Sequence, residues 1–213
     1  MTRRPVIIIG AGGHAKVLLE ILQLTGSEIV GLTDLDPKKA GQCIYGSTIL
    51  GADQSVLGRK PQEIILVNGV GSTETMDARK EVFERFTNQG YEFATVVHPS
   101  AIISSKSELG AGVQVMAGAV VQPDAGISAN CIINTGAIVE HDCRIGAHVH
   151  IAPGATLSGG VVVGAQTHIG TGATIVQGVI VGEKCTVAAG AVVLGNVSDG
   201  AKVAGVPAKE IKP

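Results

Sequence analysis

The sequence predicts two parts in series: an α/β half domain of Rossmann-like type over residues 1–95, then a parallel β-helix over residues 96–213. Three observations carry this. From Val97 an aliphatic residue falls at every sixth position without a slip, through Ile103, Leu109, Val115 and Val121 to Val193. A period of six is neither the 3.6 of a helix nor the alternation of a strand, and it marks a β-solenoid. Ahead of it, "VIIIGAGGHAK" (6–16) reads as an apolar strand, a tight glycine turn and a helix start. The composition agrees: 30 Gly, no Trp and 2% aromatic residues, yet 45% hydrophobic, suits many small layers better than one bulky core.

In the first part the turn has the form G-x-G-x-x-A, with Gly10, Gly12 and Ala15. Such a turn lets the backbone approach a phosphate at a helix N-terminus. A second strand, "EIVGLTDLD", ends in Asp34 and Asp36, where carboxylates can accept hydrogen bonds from a ribose or base. A third, "EIILVNGVGS", runs into a helical "TMDARKEVFERFTNQ". Residues 1–95 amount to half a dinucleotide fold, so a mononucleotide or nucleotide-sugar fits better than NAD. The alternative is an α/β cap that binds no nucleotide. Basic residues before an apolar run resemble a signal peptide, but the run is short and breaks into glycines, His14 and Lys16, which favours a buried first strand.

In the second part, three hexads make one triangular coil, with successive coils about 4.8 Å apart. Four residues after each aliphatic position comes a small or β-branched one, and Cys131, Cys143 and Cys185 fall in this inward slot as core fillers. An outward set at intervals of three hexads, Ile102, Val120, Ile138, Thr156, Thr174 and Val192, forms a β-branched stripe suited to burial in an oligomer.

"NTGAIVEHDCRIGAHVH" (134–150) gathers three histidines, two carboxylates and an asparagine in a chain with 6 His and 16% charged residues. Stacking puts Pro123, His141, Gly159 and Gln177 in one turn column, and His168 over His150. Asn134 and Glu140 take equivalent outward positions on consecutive faces. His141 has Glu140 and Asp142 beside it and Gly159 one coil above, leaving space there. An exposed imidazole with an orienting acid and room for reacting atoms is the pattern of a general base. The plainer alternative is a hydrophilic turn.

The repeat resembles that of the hexapeptide-repeat acyltransferases, whose β-helices are left-handed and form trimers. The γ-class carbonic anhydrases share the prism and bind zinc through an H-x-x-x-x-H pair; no two histidines here have that spacing, and no metal is expected. The whole chain resembles the bacterial nucleotide-sugar acetyltransferases of the sialic-acid and bacillosamine pathways, through "GAGGHAK", "INTGAIVEHDC", "HVHIAPGA" and "VAGVPAK". The resemblance implies that His141 is the base, with Asp142, or alternatively Glu140, orienting it. It implies that Asn134 and His150 line the site, His150 from the neighbouring subunit against the acetyl thioester. It gives the Gly159 N–H an oxyanion-hole role and sets Thr171 and Ala189 along the pantetheine arm. Gly12, Gly13, His14, Asp34 and Gly69 should contact the nucleotide-sugar. Leu35 departs from relatives with a second consecutive acid there.

The expected function is therefore acetyl transfer from acetyl-CoA, by direct attack, to the amine of a UDP-linked 4-amino-dideoxy sugar in a homotrimer with active sites at subunit interfaces. The alternatives are O-acetylation of a sialic acid or other sugar, a GDP- or dTDP-linked acceptor, an inert sugar-nucleotide sensor, and a zinc hydratase. A net charge of −2 gives no reason to expect nucleic acid as a partner. No apolar run approaches the ~18 residues of a membrane span, and a cytoplasmic location is expected.

Overall fold

The apolar run after Pro5 forms strand β1 (Val6–Ile9), with all four side chains buried, as expected of a central parallel strand. The computed structural model describes residues 4–72 and 75–211. Helix α1 (Gly13–Leu24) follows the glycine turn and buries Ala15, Leu18, Leu19, Ile21 and Leu22. Strand β2 (Ile29–Thr33) comes next, followed by a hairpin of β3 (Cys43–Ile44) and β4 (Ser47–Thr48) and by the one-turn helix α2 (Gln54–Leu57). Strand β5 (Ile65–Asn68) and helix α3 (Asp77–Thr87) complete the set. The three longer strands pair in parallel in the order β2-β1-β5. One core beneath this sheet gathers Ile7, Ile9, Leu66, Phe86, Tyr91 and Phe93, with Phe86 and Tyr91 edge to face at 5.7 Å. The hairpin and α2 carry no apolar period long enough to announce them in the sequence.

A second compact unit begins at Ser100. Its strands from Ile102 to Val193 are two residues long and pair in parallel with those one coil away; Lys202–Ala204 adds a last parallel strand and pairs antiparallel with Lys209–Glu210. The first sheet stacks Ile102, Val120, Ile138, Thr156, Thr174 and Val192, the stripe read from the sequence. The second stacks Glu108, Gly126, Arg144, Val162 and Ile180. The third stacks Gln114, Ile132, His150, His168, Thr186 and Lys202. This is the parallel β-solenoid that the six-residue period predicts.

The corners differ in a way that matters for the site. Between the third and first sheets, the left-handed position is glycine in every coil: Gly118, Gly136, Gly154, Gly172 and Gly190. Between the first and second sheets it is Asp124 and Asp142, then Gly160 and Gly178. Aspartate tolerates this conformation because its short polar side chain bonds locally. Cys131, Cys143 and Cys185 are buried, with thiols directed at the carbonyls of Gly146, Ser158 and Ser198 at 3.0, 3.3 and 3.0 Å. Burial pushes the Cys143 and Cys185 thiols above their ordinary pKa, the opposite of what a nucleophile needs. Among the described residues no helix is long and apolar enough to cross a membrane.

Ile151 is fully buried in the prism, whereas Val162 is 37% exposed on its outer surface. Ile151→Ala should cost about 2–5 kcal/mol in denaturant unfolding, through lost burial and an uncollapsed cavity. Val162→Ala should cost under about 1 kcal/mol; equal costs would contradict the inward assignment of the aliphatic slot.

Candidate active site

The corner after strand Ile138–Val139 carries His141 and Asp142. Asp142 takes the left-handed conformation, φ 61°, and its N–H donates to the Pro123 carbonyl one coil below. From there its Oδ2 accepts from Nδ1 of His141 at 2.8 Å. That bond, with the charges of Asp142 and Glu140 added, raises the His141 pKa against the opposing effect of desolvation. It also leaves Nε2 as the free basic nitrogen of the neutral ring. Glu140 contributes charge, and the carboxylate in contact is that of Asp142.

Gly159 lies against the same ring. A Cβ built on it would stand 2.6 Å from Cε1 and 2.7 Å from Nε2 of His141. The sequence reading left this space open; the imidazole itself occupies it, and Gly159 is buried. The Gly160 N–H donates to the His141 carbonyl at 2.8 Å, locking the two coils together. The Gly159 N–H has no partner among the described residues.

Asn134 and His150 meet elsewhere on the prism. The Asn134 amide Nδ2 donates to Nε2 of His150 at 3.0 Å, while its Oδ1 accepts from the Thr135 N–H at 2.8 Å. His150 is 7% exposed and stands edge to face with His168 at 5.0 Å. Burial lowers the His168 pKa, and its Nδ1 is buried with no hydrogen-bond partner among the described residues, which disfavours the charged ring. Thr171 and Ala189 are exposed in one turn column with Pro153, joined by the Gly172 N–H to Pro153 and the Gly190 N–H to Thr171. His141 and His150 are half a coil apart, so within one chain the two groups sit on different sides of the prism. Among the described residues no three His, Cys, Asp or Glu side chains are grouped to hold a metal ion.

In the first unit Gly12 caps α1 without a side-chain acceptor, which leaves the first-turn N–H groups open to a ligand. Gly12 and Gly13 are exposed, with nothing within 4 Å of an added Cβ. Gly10, φ 100°, lies close to Gly69, and Gly69 has no room for a side chain: its Cβ would meet Ile8 at 2.7 Å and Ala15 at 2.9 Å. Gly71 packs the same way on His14, at 3.2 Å. These contacts bring Gly12, Gly13, His14 and Gly69 around one turn.

Asp34 stands at the same turn. Partial burial works to raise its pKa, but bonds from Lys39 and the Asp36 N–H, the Lys39 charge and the Ala11 N–H outweigh it, and the carboxyl lies below its ordinary value. The Lys39 ammonium reaches it at 2.7 Å. Leu35 is 78% exposed. Sequence reasoning missed Lys39, although the run "DLDPKK" after a strand end puts a cation near the acid. It also missed a chain that runs from beneath the turn to the surface: buried Thr33 donates to buried Asp53 at 3.0 Å, and Asp53 pairs with the exposed Arg85.

Comparison with known proteins bears on all of this. A family model described as the PglD N-terminal domain matches residues 5–86. Two others, bacterial transferase hexapeptide (six repeats) and hexapeptide repeat of succinyl-transferase, match residues 124–159 and 160–194. The acetyltransferase domain of PglB from Neisseria gonorrhoeae is 35% identical with a TM-score of 0.90, over 98% of this chain and 100% of that one. PerB from Caulobacter crescentus, solved with CoA and GDP-perosamine, is 37% identical with a TM-score of 0.91, over 98% and 97%. The UDP-N-acetylbacillosamine N-acetyltransferase of Bacillus subtilis is 38% identical over 118 residues, 53% of this chain and 51% of that one, so the match spans about half the length of this curated relative. With both parts of the chain aligned to solved relatives end to end, the protein belongs to the bacterial nucleotide-sugar acetyltransferases built on hexapeptide repeats.

Proposed function

We propose that the protein transfers the acetyl group of acetyl-CoA to the amine of a nucleotide-linked 4-amino-dideoxy sugar. Residues 1–95 would hold the nucleotide-sugar, and residues 96–213 would carry the chemistry. The observation that carries this is the His141–Asp142 pair at 2.8 Å with Gly159 against the ring. A base tied through Nδ1, with Nε2 free and an elevated pKa, suits removal of a proton from an amine attacking a thioester. The C–N bond forms as His141 takes one N–H proton, the tetrahedral intermediate collapses with cleavage of the C–S bond, and the imidazolium returns that proton to the departing sulfur so that CoA leaves as the thiol. The buried cysteines with raised pKa values support direct attack over an acyl-enzyme.

In this reading the Gly159 N–H is assigned to the thioester oxygen. Asn134 and His150 border the acetyl group, and Thr171 and Ala189 border the pantetheine arm. Because His141 and the Asn134–His150 pair lie on different sides of one prism, a complete site takes His150 from a second copy, which supports a homotrimer with interfacial sites. Gly12, Gly13, His14, Asp34 and Gly69 bind the nucleotide-sugar. UDP is the nucleotide expected from the bacillosamine relatives. The end-to-end likeness to PerB, solved with GDP-perosamine, favours GDP as the second reading.

Thiol release from acetyl-CoA, measured across UDP-, GDP- and dTDP-linked 4-amino sugars with free sialic acid alongside, tests this. Turnover on one nucleotide-amine alone is expected; activity on sialic acid only would overturn N-acetylation, and binding without turnover would favour a sensor. His141→Ala should lower kcat about 10²–10⁴-fold, the usual worth of a general base, with little change in acetyl-CoA affinity. Equal loss of both would make His141 a binding group.

His141 must be neutral to act, so the rate should rise with pH through a limb lying above that of an ordinary imidazole. Asp142→Asn should move that limb to lower pH and reduce the plateau; an unmoved limb would assign it to another group. Gly159→Ala should reduce kcat nearly as far as His141→Ala while Tm changes little, because the added methyl evicts the ring and the backbone there tolerates any residue.

A further inference from the structure

Arg79, in the first turn of α3, is fully buried. A buried guanidinium is costly unless its N–H groups are satisfied. Nη1 of Arg79 donates to two carbonyls of one loop, Asn68 at 2.9 Å and Val70 at 2.8 Å. The loop answers: the Asn68 amide donates to the Arg79 carbonyl at 2.9 Å, and the Asn68 Oδ1 accepts from the Val70 N–H at 3.2 Å. Asn68 is itself 1% exposed.

The segment thus clasped, Asn68 to Gly71, is the one packed against the glycine turn. The Gly69 N–H donates to the Ile9 carbonyl at 2.8 Å. Gly10 and Gly69 approach so closely that a Cβ on Gly10 would lie 3.3 Å from the Gly69 carbonyl carbon, and one on Gly71 would lie 3.2 Å from His14. Two glycine-rich walls face each other, and few side chains stand between them: Val70 by Gly10 and His14 by Gly71. Beyond the Gly69 rung to Ile9, the loop is held at the Asn68 and Val70 carbonyls by the guanidinium behind it.

We infer that Arg79 is a positioning residue for the nucleotide-sugar: it pins the Asn68–Gly71 wall against the Gly10–Gly13 turn, so that the nucleotide site is set before the ligand arrives. This rests on the reading of the first unit as the nucleotide-sugar site. It assigns Arg79 an effect on one substrate and none on the other.

The test is steady-state kinetics and calorimetric binding on full-length wild type, Arg79→Lys, Arg79→Gln and Asn68→Ala, with Tm recorded for each. The probes are the nucleoside diphosphates UDP and GDP for binding, and acetyl-CoA with the turned-over amino sugar for kinetics. Arg79→Gln should raise KM for the nucleotide-sugar and Kd for the diphosphate about 10- to 100-fold, the worth of one or two charge-assisted hydrogen bonds. The acetyl-CoA KM should stay within about 3-fold. Arg79→Lys, which keeps the charge but cannot bridge both carbonyls at fixed angles, should fall between. Asn68→Ala should follow Arg79→Gln in the same split. A fall in Tm with both KM values unchanged would make Arg79 a scaffold residue and overturn the inference, as would equal rises in both KM values. Wild type that neither binds a nucleoside diphosphate nor acetylates an amino sugar would instead overturn the underlying reading of the site.

Discussion

The parallel ladder that holds each residue of the prism beneath its counterpart one coil later is the constraint on which the second unit depends. Because backbone N–H groups of one coil donate to carbonyls of its neighbours, to the next coil along the strands and to the preceding one at the corners, spacing along the chain converts directly into position in space. Gly160 to His141 at 2.8 Å and Gly178 to Gly159 at 3.0 Å are rungs of this ladder. They fix a glycine against one imidazole and nowhere else. Pro123 below and Gln177 above occupy the same column, so a single coil among many identical ones carries the His–Asp pair. The aliphatic slots make the scaffold rigid enough for that placement to persist, since a fully packed interior cannot deform continuously.

Environment then separates chemically identical side chains. His141 is exposed, bonded to a carboxylate and has a raised pKa, while His168 is half-buried, has an unpartnered ring nitrogen and has a lowered one. The first is suited to accepting a proton near neutral pH. Burial disfavours charge on the second, which stands beside His150, whose Nε2 already accepts from Asn134. Two histidines one coil and a half apart in sequence therefore have different assignments, and the difference lies in what each ring touches. The same contrast holds for Asp124 and Asp142: both make the left-handed corner, but only Asp142 follows a histidine.

Much of this was legible in the sequence because a solenoid has a one-dimensional code. The hexads by themselves place Cys131, Cys143 and Cys185 inside, stack His168 on His150 and set Gly159 over His141. What the code omits is orientation. It could not choose between Glu140 and Asp142, because that depends on the left-handed φ of Asp142, which turns its carboxylate toward the ring. Nor could it show that the ring would fill the space beneath Gly159. In the α/β unit the strands, the glycine turn and Asp34 followed from pattern. The Lys39 contact, the Thr33–Asp53–Arg85 chain and the Arg79 clasp did not, since each joins residues far apart in sequence through tertiary packing that no local period encodes.

The two units thus solve the problem of placing atoms in different ways. The prism places them by repetition: a corner residue inherits its position from the coil below, and specificity enters through the few places where glycine yields to aspartate or a small residue admits an imidazole. The α/β unit has no such register beyond its three paired strands. Its glycine-rich walls leave the backbone close enough to approach a phosphate, yet glycine brings the greatest freedom of any residue. The Gly69 N–H bond to the Ile9 carbonyl removes part of that freedom, and the rest is removed from outside the walls. A buried guanidinium reaching two carbonyls, and a threonine and aspartate beneath the neighbouring strand, remove it from behind, where they leave the face toward a ligand clear. Rigidity supplied from the rear is the arrangement that would let bare backbone serve as the proposed nucleotide-sugar surface.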